Sequence, residues 1–144
     1  DVRFERECLR AAIEGRGDDL LTAMSARGIL DPGAAVTASD CLDYVCAAAE
    51  LSLNDGSVTV TPEMAGACFV LAVDPRSGSF GTMTKQWLPP EHVFSRRADF
   101  LTFGILGQLR ATANWGRIAR EWLYDEPPST AMGADIAAWQ PPPA

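Results

Sequence analysis

Apolar side chains recur three and four residues apart along most of this chain, and they alternate along only one short stretch. Phe4, Cys8, Leu9, Ala12 and Ile13 fall at helical spacing, as do Trp115, Ile118, Ala119, Trp122 and Leu123. A 3.6-residue period selects amphipathic helices, because only a helix gathers such positions onto one face that can be buried. The alternating stretch, Ser57-Val58-Thr59-Val60, is too short to make a sheet and is expected to be an extended connector. The expected fold is therefore all-α, an irregular bundle of about six helices. With 144 residues, 47% apolar and 22% charged, the chain can fill one core and fits neither disorder nor a collagen-like or coiled-coil composition.

Punctuating residues place the helices. Gly15 and Gly17 close the first near Glu14, Asp18 or Asp19 opens a second through Leu20, Leu21 and Met24, and Gly28 stops it. Ile29 to Ala38 is a turn-rich connector around Asp31-Pro32-Gly33, and Thr37 with Asp40 resembles a weak capping box for a third helix through Leu42, Val45, Cys46, Ala49 and Leu53. Thr61-Pro62-Glu63 has the residues of a helix start, and the fourth helix it opens runs to about Val73, apolar nearly all round, the expected core element. After Asp74-Pro75-Arg76-Ser77-Gly78, a short helical piece is expected from Phe80 to Trp87, and Leu88-Pro89-Pro90-Glu91 starts another helix. From Val93 to Ala111 the apolar groups Val93, Phe94, Ala98, Leu101, Ile105, Leu106 and Leu109 form a broad stripe, with Gly104 and Gly107 permitting a close helix crossing. Asn114 is a good N-cap for the last clear helix. The organisation expected is a helical domain over residues 1–124 and a Pro-rich tail over 125–144. The tail is an extended strap or disordered end in which only Trp139, after Ile136, can pack back.

The formal net charge of −7 lies wholly in the first half: residues 1–63 hold twelve acids and five bases, and residues 64–144 hold seven of each. That balance argues against a general nucleic-acid binder, whose affinity rests on cations neutralising phosphates, and reads as a solvated acidic face. The longest apolar run, Met64 to Val73, has ten residues, against about twenty for a bilayer span. The opening Asp1-Val2-Arg3-Phe4-Glu5-Arg6 shows neither an initiating Met nor a secretory leader, which suggests a fragment or a processed chain. Cys8, Cys41, Cys46 and Cys68 form no Cys-x-x-Cys pair and read as buried small apolar groups, consistent with a cytoplasmic setting.

Residues able to carry chemistry are few. His92, the one histidine, sits in the first turn of its helix, where an exposed or capping role is expected. The acid pairs Asp18 and Asp19, and Asp40 and Asp43, are accounted for by helix starts. Gly78-Ser79-Phe80-Gly81-Thr82-Met83-Thr84-Lys85 lacks the spacing of a phosphate-binding loop. Arg96, Arg97, Arg110, Arg117 and Arg120 make a local excess of positive charge, some of it expected to pair with Asp99 and Glu121, and Trp115 and Trp122 read as core anchors. No residue is assigned a catalytic, cofactor-binding or metal-binding role.

Several segments, taken in order, carry a resemblance. Asp74-Pro75-Arg76-Ser77, Leu88-Pro89-Pro90-Glu91-His92-Val93-Phe94, Leu109-Arg110-Ala111-Thr112-Ala113-Asn114-Trp115 and Ile118-Ala119-Arg120-Glu121-Trp122 are similar to the C-terminal helical region of the UbiB/AarF family of atypical protein-kinase-like proteins, in its actinobacterial form. Upstream, Ala11-Ala12-Ile13-Glu14-Gly15, Gly28-Ile29-Leu30-Asp31 and Val58-Thr59-Val60-Thr61-Pro62-Glu63 fall in the expected order, so the similarity covers about residues 1–139. The family's reactive motifs are missing: Lys85 is followed by Gln86-Trp87 and not by Gly-Gln, and Asp99-Phe100 is followed by Leu101 and not by Gly.

The resemblance implies a non-catalytic helical remainder of a kinase-like large lobe plus its C-terminal extension, bracing an ATP-binding core. Mg-ATP is implied for the parent protein and no cofactor for this chain. The implied partner is the upstream kinase-like region of the same polypeptide, in a parent that supports isoprenoid-quinone or lipid metabolism at membranes. The alternative is a free-standing all-helical ligand-binding or dimerisation module, for which an apolar cavity of several hundred cubic ångströms between helices, or a large apolar self-association face, would speak.

Overall fold

The structure, a computed structural model, describes residues 2–76, 85–87 and 89–139. Among them are eight helices and one two-stranded ribbon: α1 (Val2–Ile13), α2 (Gly17–Ala26), α3 (Ala38–Ala48), α4 (Glu50–Leu53), β1 (Ser57–Thr59), α5 (Pro62–Val73), α6 (Pro90–Gln108), β2 (Thr112–Asn114), α7 (Trp115–Tyr124) and α8 (Ala131–Ala138). The fold is all-α and irregular. The helix count exceeds six because the expected third helix breaks at Ala49 and the tail contains a helix of its own.

Local chemistry sets most boundaries. Past the end of α2, Gly28 takes φ +73°, its N–H donates to Ser25 O at 3.0 Å and Ile29 N–H donates to Met24 O at 3.0 Å, the paired bonds of a Schellman ending. Thr37 caps α3 through a full capping box: its hydroxyl accepts from Asp40 N and the Asp40 carboxylate accepts from Thr37 N. Thr61 caps α5 by accepting from Met64 N, with Pro62 in the first turn, and Asn114 caps α7 by accepting from Arg117 N at 2.9 Å.

Most of the core is one cluster, and Ala49, Val60 and Leu123 are buried apart from it. Cys8, Ala11 and Ala12 of α1, Leu20 and Met24 of α2, Ile29 and Leu30 of the following loop, and Cys41 of α3 form one buried cluster, with Phe4, Leu21, Val36, Leu42, Val45 and Cys46 packed around it. Burying a side chain such as Leu20 contributes about 1.5–3 kcal/mol, and the small Ala and Cys residues let α1 lie close on α2 and α3. Among the described residues, the fourth expected helix, α5, contributes no side chain to that cluster. It pairs instead with α6, where a Cβ on Gly107 would stand 3.0 Å from Ala65 Cβ and from Thr61 O, so Gly107 is the crossing point. Gly104 has open space beside it and plays no such part.

Two expectations for extended segments change. Ser57-Val58-Thr59 is a strand, paired antiparallel with Thr112–Asn114 in the register Ser57↔Asn114, Val58↔Ala113 and Thr59↔Thr112. Its partner lies more than fifty residues on, beyond the reach of any local pattern. The tail is helical over Ala131–Ala138, capped by Thr130 accepting from Gly133 N at 2.9 Å and tied to α7 by Ser129 N donating to Glu121 Oε1 at 2.6 Å. Trp139 does not pack back; it is exposed. Of the expected helical piece from Phe80 to Trp87, only 85–87 lie within the described residues, and there Trp87 N donates to Ile29 O at 2.6 Å and Asp31 N to Lys85 O at 2.8 Å. The glycine-rich stretch before Lys85 lies outside the described residues.

Candidate functional site

Helix α6 is turned opposite to what its apolar stripe suggests. Phe94, Leu101 and Ile105, with Leu109 just past its end, face outward, Phe94 with 74% of its surface exposed and Ile105 with 59%. The inward face carries His92, Ser95, Arg96, Asp99 and Phe103, at the three- and four-residue steps that align side chains along a helix. These residues line one wall of a cleft of about 420 Å3, whose other walls come from Phe4, Glu5, Cys8 and Leu9 of α1, Met24 and Ile29, and Tyr44, Val45, Leu51 and Ser52 of α3 and α4. A cleft of this size with apolar walls and one polar strip has the anatomy of a small-molecule site.

The polar strip is built across elements. His92, expected to be exposed or capping, is buried, with 4% of its surface accessible. Its Nε2 accepts from Arg27 Nε at 3.3 Å, which places the ring proton on Nδ1, 3.3 Å from Glu5 Oε1, and the ring stacks edge-on to Phe4 at 5.5 Å. Burial of a polar ring is tolerated because both nitrogens find partners. One turn along, Arg96 donates to Tyr44 OH and to Gln86 Oε1, the latter at 2.9 Å, with its guanidinium 5.3 Å from the Tyr44 ring centre. Gln86 Nε2 is buried without a hydrogen-bond partner among the described residues. Asp99 stands at the rim; partial burial first, then the negative charge of Glu5, push its carboxyl pKa up, against the pull of Arg96.

The remaining expected residues scatter. Asp18 and Asp19 lie in the first turn of α2, which begins at Gly17 with Arg16 rather than either acid at its N-cap, and Asp40 belongs to the capping box of α3, whereas Asp43 lies beyond its first turn. Within the basic cluster, Arg120 pairs with Glu126 at 2.7 Å and Arg117 with Asp55 at 3.8 Å, while Glu121, one of the expected acidic partners, holds Ser129 instead. Trp115 is half-buried and donates from Nε1 to Val58 O at 2.9 Å, anchoring the ribbon. Trp122 is no core anchor: 61% of it is exposed. All four cysteines are free, Cys8 and Cys41 buried and Cys46 and Cys68 half-buried. Burial pushes the Cys8 thiol up to about 11, helped by Glu5 and Glu7, so it is protonated at neutral pH and a poor nucleophile. Among the described residues no group of three or more His, Cys, Asp or Glu side chains is placed to hold a metal ion, and no helix is long and apolar enough to cross a membrane.

Reasoning from sequence missed the site because Glu5 and Arg27 lie 87 and 65 residues from His92. One signal was present: His92, Ser95, Arg96, Asp99 and Phe103 trace a second periodic face on the helix that carries the apolar stripe.

Comparison with family models, with curated proteins and with solved structures gives no match to this chain. Among the described residues, fold and cleft together define a class, an irregular all-α domain with an exposed apolar face on α6 and a cleft of apolar walls and one polar strip.

Proposed function

We propose that this chain is the non-catalytic helical portion of a larger kinase-like protein of the UbiB/AarF type, cytoplasmic or working at a membrane surface through its parent, and that it braces an ATP-binding core. The observation that carries the reading is the outward stripe of Phe94, Leu101, Ile105 and Leu109 on α6. A helix whose apolar face is left to water while its polar face turns inward has a partner to meet, since contiguous apolar surface of this kind marks interaction sites. Bracing is then packing. The stripe docks against the reacting lobe and holds its position, and a displacement of about an ångström at such a remove is enough to slow a reacting centre.

Thermal denaturation with and without Mg-ATP tests the absence of a nucleotide site in this chain. No shift in Tm is expected, whereas a clear upward shift, the mass-action signature of binding, contradicts the reading. The coding sequence upstream of Asp1 tests the parentage: an Asp-Phe-Gly motif preceded by a catalytic loop supports it.

A second reading, an all-helical ligand-binding module, is favoured by the cleft of about 420 Å3. Its apolar walls and partnered His92 are what a small-molecule site needs, and such a site can operate within a longer polypeptide as well as alone.

A further inference from the structure

We propose that the cleft binds an amphipathic organic cation, its ammonium group held by the Glu5 and Asp99 carboxylates and its apolar body among Met24, Val45 and Leu51. The proposal rests on the ligand-binding reading of the cleft and adds to it the charge of the ligand's head.

Size and lining set the body of the ligand. About 420 Å3 bounded by aliphatic and aromatic side chains accepts a chain or ring system of roughly drug size and repays its burial by the hydrophobic effect. Charge sets the head. Glu5 from α1 and Asp99 from α6 face the same space, and the mutual repulsion of two carboxylates is part of what raises Asp99. A cation placed between like charges removes that repulsion and gains attraction from both. Among the described residues no hydrogen bond engages the Asp99 carboxylate.

The nearby cations are already committed to protein acceptors. Arg96 donates to Tyr44 and Gln86, and Arg27 donates to His92. An anionic head would have to draw those guanidinium groups off their partners while facing two carboxylates. Glu5 meets His92 Nδ1 with one oxygen at 3.3 Å, and a carboxylate has further acceptor sites, so an ammonium can meet the second oxygen of Glu5 and the Asp99 carboxylate.

Three probes with the same eight-carbon tail separate tail from head: octylammonium, octanol and octanoate, each titrated calorimetrically into the full chain near neutral pH. The proposal expects octylammonium to bind about three- to tenfold tighter than octanol, within the range that two partly exposed carboxylates facing one ammonium supply, and octanoate to bind weakest. Asp99→Asn should bring octylammonium to within about twofold of octanol while octanol binding stays unchanged, which shows that the cleft is intact. Octanol binding with no preference for octylammonium overturns the charge assignment alone. Absence of binding by all three overturns the ligand-binding reading with it. Octanoate as the tightest ligand, or a preference for octylammonium that survives Asp99→Asn, also overturns the proposal.

Discussion

Gly116 occupies a place with no room for a methyl group, since a Cβ there would collide with the backbone carbonyl of Asn54 where α7 passes α4. Backbone cannot yield as a flexible side chain can, so Gly116→Ala is expected to destabilise the fold by about 1–3 kcal/mol. Gly104 lies in open space within α6, and Gly104→Ala should stabilise by about 0.5–1 kcal/mol through helix propensity alone. Urea denaturation of the two variants decides; equal effects would contradict the close approach of α7 to Asn54. Cys8 makes a second prediction at this scale. Its thiol is raised from 9.0 to about 11, so the folded chain holds a proton that the unfolded chain gives up between those values. The associated stability is complete below pH 9 and is lost as pH rises through 11, at most about 2–3 kcal/mol. The fall in urea stability between pH 8.5 and 11 should be shallower in Cys8→Ala than in the parent chain, and identical slopes would show that Cys8 is not the titrating group.

At the scale of elements, short-range side-chain chemistry was legible and long-range placement was not. The capping box of Thr37 and Asp40, the Schellman ending at Gly28, the Thr61-Pro62 start and the Asn114 cap are each contained within a few residues, so the sequence displays both partners of each bond. Thr37→Ala removes the hydroxyl that accepts from Asp40 N and should lower stability by about 0.5–2 kcal/mol. The carboxyl of Asp40, held below its ordinary range first by the backbone N–H of Thr37 and then by its hydroxyl, should rise part of the way back. Carboxyl chemical shifts through an acid titration read that rise directly, and an unmoved Asp40 would mean that the hydroxyl contributes nothing. The ribbon, in contrast, needed Thr59 and Thr112 brought together, their hydroxyls 2.7 Å apart across a separation of 53 residues. The burial of His92 likewise depends on α1 and on the end of α2, and the face that α6 turns inward was hidden because its outward stripe is the more apolar of the two. Hydrophobic periodicity identifies a helix correctly but assigns its inner face on the premise that the apolar side is buried within the same chain.

The whole molecule shows where that premise fails. Its buried cluster belongs to α1, α2, the loop after α2, and α3, while α6, the longest helix at 19 residues, exposes its apolar side. The main buried cluster and the exposed apolar stripe therefore belong to different helices, and large-to-small substitutions should separate them. Leu20→Ala, at a fully buried site in the α2 wall of the core, is expected to destabilise the chain by about 2–4 kcal/mol through lost burial and a residual cavity. Ile105→Ala, on the outward stripe, removes a side chain that is mostly exposed, so its effect should stay within about 0.5 kcal/mol. Urea midpoints at a common m-value make the comparison. A penalty at Ile105 approaching that at Leu20 would mean that the stripe is covered within this chain. The bracing role proposed for it would then have no surface to act through. If the penalties differ as expected, the stripe is apolar for a reason other than the stability of the isolated chain, which is the condition that the proposed bracing contact requires.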